Sequence, residues 1–253
     1  MAPLLRFFLL AYSISWLLWA PLWLPAIGID VAPDLPLNGK LGGLGPLLAA
    51  IILIWKSKGL SGLRELGARI LWPGAGLYWL ASIALPALCM ALGYWMNPDP
   101  ELYSVDRLAS LLLLDFIFFG LGEEIGWRGY ALPRLQGQFN ALSSGLLLCI
   151  PWALWHLPLF LTDQAPTQPD TSHIIGWTLS LAAGSVVLTW LFNSSRGGLL
   201  SVVLFHTMYN VVSRTPGAGL MGFFVLLLGI AVILIYKPRN LAFSPRITEP
   251  ANA

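Results

Sequence analysis

The sequence predicts an all-α, polytopic membrane protein of about eight transmembrane helices, with its functional site inside the helix bundle. Three observations carry this. Hydrophobic residues are 57% and charged residues 10% of the 253-residue chain, and mean hydropathy is +0.74, outside the soluble globular range. The apolar stretches are of membrane-crossing length and lack the two-residue alternation that a transmembrane barrel needs. The charges gather in the breaks between them, and their distribution says more than the net +2, which is too small to mark a nucleic-acid partner.

In chain order the apolar runs are 4–27, 41–56, 74–96, 106–123, 140–161, 173–193, 197–213 and 217–236. Arg6 precedes an apolar core longer than that of a cleaved leader, so the first run reads as a retained helix. Lys56–Arg69 (KSKGLSGLRELGAR) reads as a partly amphipathic cytoplasmic segment at headgroup level. Trp16, Trp19, Trp23, Trp72 and Trp79 fall near predicted helix ends, where indoles favour the interface. Residues 162–172 (TDQAPTQPDTS) read as an external polar loop, and 237–253 as a short polar cytoplasmic tail, disordered from 241 onwards. Cys89 and Cys149 lie inside apolar runs and read as buried thiols rather than a disulfide. No internal repeat or soluble domain is visible, so residues 1–253 form a single integral-membrane domain.

Charge placement orients the bundle. With both termini in the cytoplasm, the inner segments hold Arg6, Lys56, Lys58, Arg64, Arg69, Arg128, Arg134, Arg196, Lys237, Arg239 and Arg246. The outer loops hold only Lys40, Arg107 and Arg214, and 11 plus 3 accounts for all 14 basic residues. The outer loops also collect Asp30, Asp34, Asp99, Glu101, Asp106, Asp163 and Asp170. This is the positive-inside pattern, expected for a protein of the bacterial plasma membrane.

Chemistry concentrates in Gly120–Tyr130 (GLGEEIGWRGY), where two carboxylates and an arginine follow the apolar run Leu108–Leu121. Ionisable groups beside hydrocarbon cost several kcal/mol unless paired or hydrated. Glu124 and Arg128 are i and i+4 with the acid first, so Arg128 braces Glu124. Glu123 is rotated by about 100° from Glu124 and is free to face a cavity. His156, in PWALWHLP, and His206, in LFHTMYN, interrupt membrane-compatible sequence, and Asn210 shares a helix face with His206. His173 begins a helix beside a polar loop and reads as interfacial. Such a set can activate water. Burial moves a carboxylate towards the range useful to a general base, and His and Asn side chains can donate to a developing oxyanion. Alternatively, two His and a Glu form a three-ligand zinc set. The charge map puts the cluster at the cytoplasmic end of the fourth helix, to be reached from that side or through the lipid.

At these residues the chain resembles the CAAX-protease and bacteriocin-processing (CPBP, Abi) family of intramembrane proteases. The EExxxR motif is Glu123-Glu124-Ile125-Gly126-Trp127-Arg128, continued by Gly129-Tyr130 and Leu132-Pro133-Arg134-Leu135-Gln136. The FxxxH motif is Trp152-Ala153-Leu154-Trp155-His156, with Trp for the usual Phe, a departure that touches pocket shape more than chemistry. HxxxN is His206-Thr207-Met208-Tyr209-Asn210, and the family-like core runs over about 108–212. The resemblance implies an intramembrane endopeptidase, described as a metalloprotease, acting on a membrane-associated peptide or protein. By that resemblance Glu123 activates water, Glu124 with Arg128 shapes the site, and His156, His206 and Asn210 bind metal or stabilise the oxyanion. Glu123, His156 and His206 are then the expected Zn2+ ligands. Asp115, about two turns before Glu123, either lines the same cavity or makes a buried contact between helices.

Two other classes compete. One is a non-catalytic membrane protein that binds a peptide in the same cavity, as an immunity factor would. The other is a transporter using the carboxylates as a proton relay, disfavoured by the two His and Asn and by the missing repeat. A serine protease lacks its GxSG segment, and an aspartyl protease lacks a second membrane aspartate.

Overall fold

A computed structural model describes residues 2–29, 31, 38–72, 74, 76–163, 165 and 170–249, and among them there are helices and turns but no strand. We number the principal helices α1 (Ala2–Leu18), α2 (Gly45–Leu71), α3 (Tyr78–Met96), α4 (105–136), α5 (Ala141–Trp155), α6 (Thr171–Ser194), α7 (Leu200–Val212) and α8 (Ala218–Asn240). Each predicted apolar run is helical. Among the described residues, five helices are long and apolar enough to cross a membrane, and a sixth span arises if Pro3–Leu18 and Ala20–Ile27, bent by 59°, count together. The remaining two runs differ for physical reasons. α7 has 13 residues, about 20 Å of helix, short of a hydrocarbon core of about 30 Å. α4 carries Asp106, Arg107, Asp115, Glu123, Glu124, Arg128 and Arg134, too many charges for a plain apolar span.

Local sequence explains where helices begin. Ser104 caps α4 by accepting from the Arg107 amide at 3.2 Å, and Asn140 caps α5 by accepting from the Ser143 amide at 2.9 Å. Asp170 caps α6 through the amides of Ser172 and His173, both at 3.1 Å. Hydrogen bonds from Ser172 and His173 hold the Asp170 carboxyl down at about 2. His173 belongs to that cap, its ring Nδ1 lying 2.5 Å from Asp170 Oδ2, in keeping with an interfacial residue.

Three expectations change. The second helix does not stop near residue 56 but continues to Leu71, breaking only at Gly59 (φ 60°, ψ −149°), a backbone angle that glycine adopts without strain. Trp16 and Trp19 are packed rather than interfacial. Trp16 Nε1 donates to the Trp155 carbonyl at 3.0 Å, and Trp19 is fully buried against the Trp155 ring, with 4.6 Å between ring centroids. The tail expected to be disordered is docked through residue 249. Leu241 is fully buried, Ile247 O accepts from Gln136 Nε2 at 2.8 Å, and Glu249 pairs with Arg134 at 2.9 Å. Both cysteines are buried free thiols, as the sequence indicated.

The bundle has two distinct ends. Leu199 N–H donates to the Arg69 carbonyl and Glu249 N–H to the Pro133 carbonyl, so 69–74, 129–136, 195–199 and the tail share one end. At the other end Asp115 pairs with both Lys40 and Arg214, and Tyr103 donates to the Arg214 carbonyl. Asp115 is thus a buried contact between elements, not a cavity residue.

Candidate active site

The acidic motif lies inside α4, not at its end, and residues 122–136 are all buried. Its glycines make this possible. A Cβ on Gly126 would sit 2.5 Å from the Pro46 carbonyl oxygen and one on Gly122 2.5 Å from that of Gly43, so the start of α2 can press directly on α4 only because both positions lack a side chain. On either side of Gly122–Gly126 the helix widens into π turns, at Phe116–Leu121 and Trp127–Ala131. Such widenings re-aim side chains and recur at functional sites.

The two carboxylates face different surroundings. Glu124 and Arg128 are both fully buried, paired at 3.0 Å through Oε1 and Nη1. Arg128 also donates to Ser185 Oγ at 3.3 Å and stacks on the Trp152 ring at 4.4 Å. Ser185 in turn donates to the Gly145 carbonyl at 2.7 Å, tying α4, α5 and α6 together. Glu124 Oε1 also accepts from His206 Nδ1 at 2.6 Å, which fixes that ring with Nε2 turned away.

Glu123 looks the other way. Its Oε2 accepts from the indoles of Trp152 at 2.6 Å and Trp127 at 3.3 Å. Among the described residues, Oε1 has no protein donor. Glu123 lines a cavity of about 500 Å³ together with His156, His206 and Asn210. His156, the residue that ends α5, donates from Nδ1 to the Trp152 carbonyl at 2.8 Å, leaving Nε2 available. Trp155 and Trp177 edge its ring at 4.8 Å and 5.6 Å. Four of the six predicted site residues therefore share one cavity, and Glu124 and Arg128 stand behind it.

The wall also holds residues that the sequence reading passed over. Trp177 and Ser180 of α6 and Tyr209 of α7 line the cavity. Trp152 was read as shaping the pocket, in place of a phenylalanine. It does more, because its indole N–H holds Glu123 at 2.6 Å, a contact that no phenyl ring can make. The i, i+4 spacing of Trp127 to Glu123 could have signalled the second donor.

Glu123 Oε1 and the two Nε2 atoms are of the donor chemistry that zinc takes. Among the described residues, however, no three His, Cys, Asp or Glu side chains converge closely enough to hold a metal ion. As arranged, Glu123, His156 and His206 do not fit a zinc site.

Bundle and cavity define an integral membrane protein with a buried carboxylate opposed by two imidazoles and an amide. Comparison with known proteins shows what this class of site is similar to. A model of type II CAAX prenyl endopeptidase, Rce1-like, matches residues 105–212, the stretch from the start of α4 to the end of α7. CAAX prenyl protease 2 of Methanococcus maripaludis is 28% identical over 145 residues, 54% of this chain and 53% of that protein. The chain thus spans about half the length of this curated relative.

Proposed function

We propose that the protein is an intramembrane endopeptidase in which Glu123 activates water against a peptide bond of a membrane-associated substrate. The observation that carries this is the division of labour on Glu123: one oxygen is fixed by two indoles while the other faces a cavity shared with His156, His206 and Asn210. Glu123 Oε1 takes a proton from water as its oxygen attacks the scissile carbonyl carbon. A neutral His206, with Nδ1–H given to Glu124, offers an Nε2 lone pair that orients this water. Neutral His156 is in the same tautomer. The Asn210 amide supplies N–H to the oxyanion that forms. Collapse of the tetrahedral intermediate breaks the C–N bond, and the proton held by Glu123 passes to the leaving amine. Glu124 and Arg128 touch no substrate in this scheme and act as positioning residues. No step runs through a metal ion.

The test is peptide cleavage by the purified protein in detergent, with prenylated and unprenylated substrates, for wild type, Glu123→Gln, Glu124→Gln, His156→Ala and His206→Ala. Loss of cleavage with Glu123→Gln, in a protein of unchanged thermal midpoint, is expected. Full activity of that variant overturns the assignment of the base. A folded wild type that binds peptides yet cleaves none favours the non-catalytic reading. Metal analysis of the wild type beside the two His variants, and assay after chelation, test the zinc expectation.

A further inference from the structure

The cavity and the charge map make opposite statements about where the site is reached. The exposed residues of the cavity wall are Asp163, Ser213 and Arg214, and all three follow the C-terminal ends of α5 and α7. This is the end at which Asp115 pairs with Lys40 and Arg214. The deep end is closed: α4 is buried continuously from 122 to 136, and the docked tail covers its last turn through Arg134 and Gln136.

The basic residues gather at the closed end. Leaving aside the buried Arg128, ten of the fourteen Lys and Arg lie there, against two acids, Glu65 and Glu249. Among the described residues the open end carries three basic residues against Asp99, Glu101, Asp106, Asp115, Asp163 and Asp170. Its basic residues are all matched to acids as well, Lys40 and Arg214 to Asp115 and Arg107 to Glu101 at 3.8 Å. Charge bias within short loops sets the orientation of a polytopic chain, and the basic end stays in the cytoplasm.

We infer that the cavity opens to the non-cytoplasmic face, and that the substrate is a membrane-proximal peptide presented on that face rather than a cytoplasmic lipidated tail. The geometry supports this route. From His206 to Arg214 along α7 is about 12 Å at helical rise, so an extended chain of three or four residues links the reactive end of the cavity to its mouth. α6 residues 171–176 are exposed and lead directly into Trp177, which lines the cavity.

The substrate half of this inference rests on the endopeptidase reading, whereas the orientation half does not, and the test separates them. Full-length protein with both native cysteines changed to alanine is expressed in intact bacterial cells carrying either Ser213→Cys at the mouth or Arg196→Cys at the closed end. Cells are treated with a membrane-impermeant maleimide before and after permeabilisation. Ser213→Cys is expected to label in intact cells, and Arg196→Cys only after permeabilisation. The reverse pattern overturns the inference whatever the enzymology shows. In a second arm, wild type in proteoliposomes sorted for one orientation meets bilayer-anchored peptide on either side. Cleavage confined to the Ser213 side supports the inference, and cleavage confined to the Arg196 side overturns it. Labelling of Ser213→Cys from outside with no cleavage on either side leaves the orientation standing and overturns the substrate half together with the endopeptidase reading.

Discussion

On one face of α4, Glu123 meets a cavity of about 500 Å³, with two indoles on one oxygen and no protein donor on the other. About 100° around the same helix, Glu124 is enclosed by Arg128 and His206, with nothing of it exposed. Two adjacent residues of one chemical type thus hold opposite positions. The enclosed carboxylate is held as an ion on Oε1 by a guanidinium and a ring N–H, while its Oε2 is buried without a hydrogen-bond partner among the described residues. The cavity carboxylate is likewise held on one oxygen, but it lines the cavity, and that access gives it something to do. In a helix packed this deeply, function sits where an incompletely bonded carboxylate also meets a cavity.

The most direct way to break this comparison is to neutralise the cavity carboxylate. Glu123→Gln keeps the shape and can still accept from the indoles, but it cannot take a proton from water. Turnover is expected to fall on the order of 10⁴-fold, about 5.5 kcal/mol of barrier, with the unfolding midpoint nearly unchanged. Measured kcat/KM beside a thermal melt in detergent checks both halves. If Glu124→Gln gives the larger catalytic loss at equal stability, the two faces have been assigned the wrong way round.

The enclosed face should respond in the opposite currency. Arg128→Met leaves Glu124 buried without its guanidinium, and breaking a buried pair from one side costs about 3–5 kcal/mol. Pairing it with Glu124→Gln removes the stranded charge, so the double variant is expected to be more stable than Arg128→Met alone. Unfolding midpoints of the three proteins decide this. Equal losses for single and double variants would mean that Arg128 acts by packing on Trp152 and not by charge.

Much of this contrast was legible in the chain. Helical spacing separated Glu123 from Glu124, and the i, i+4 relation of Glu124 to Arg128 announced the pair that the structure contains at 3.0 Å. Hydropathy located every helix, because burial in lipid demands long apolar runs. Three things were not legible, each because it depends on contacts distant in sequence. The span count is not confirmed at α4, where tertiary pairing tolerates charges that a hydropathy test rejects. The docked tail is polar by composition, and only its bonds to Gln136, Asn193 and Arg134 reveal that it is held. The donor role of Trp152 needs α5 to lie beside α4, 29 residues apart in sequence, and no pattern within either helix states that.

Trp152 offers a finer probe of the cavity face. Trp152→Phe removes the 2.6 Å donor and keeps an aromatic ring, giving the residue of the FxxxH motif that the chain resembles. A hydrogen bond to a charged group is worth about 1.5–3 kcal/mol, so a ten- to hundredfold loss of kcat is expected if the indole orients Glu123 for attack. The pH profile should shift as well, since the lost donor favoured the ionised carboxylate. A drop in melting temperature with kcat and pH profile intact would reduce Trp152 to a packing residue.

The smallest effect is expected farthest from the cavity, at the closed end. Deleting residues from Pro245 onwards removes the Ile247 carbonyl from Gln136 and the Glu249 carboxylate from Arg134. Gln136 and Asn193 keep each other, through bonds of 2.7 and 3.0 Å, and water can reach what the tail uncovers. The loss should therefore stay near 1–2 kcal/mol, below the cost of stranding a buried ion. Turnover per folded molecule should not change, because the deletion touches nothing on the Glu123 face. A melt series with active-site titration separates the two readouts. If catalysis falls while stability holds, the tail communicates with the cavity along α4, and the division between the two faces of that helix is less complete than their hydrogen bonds imply.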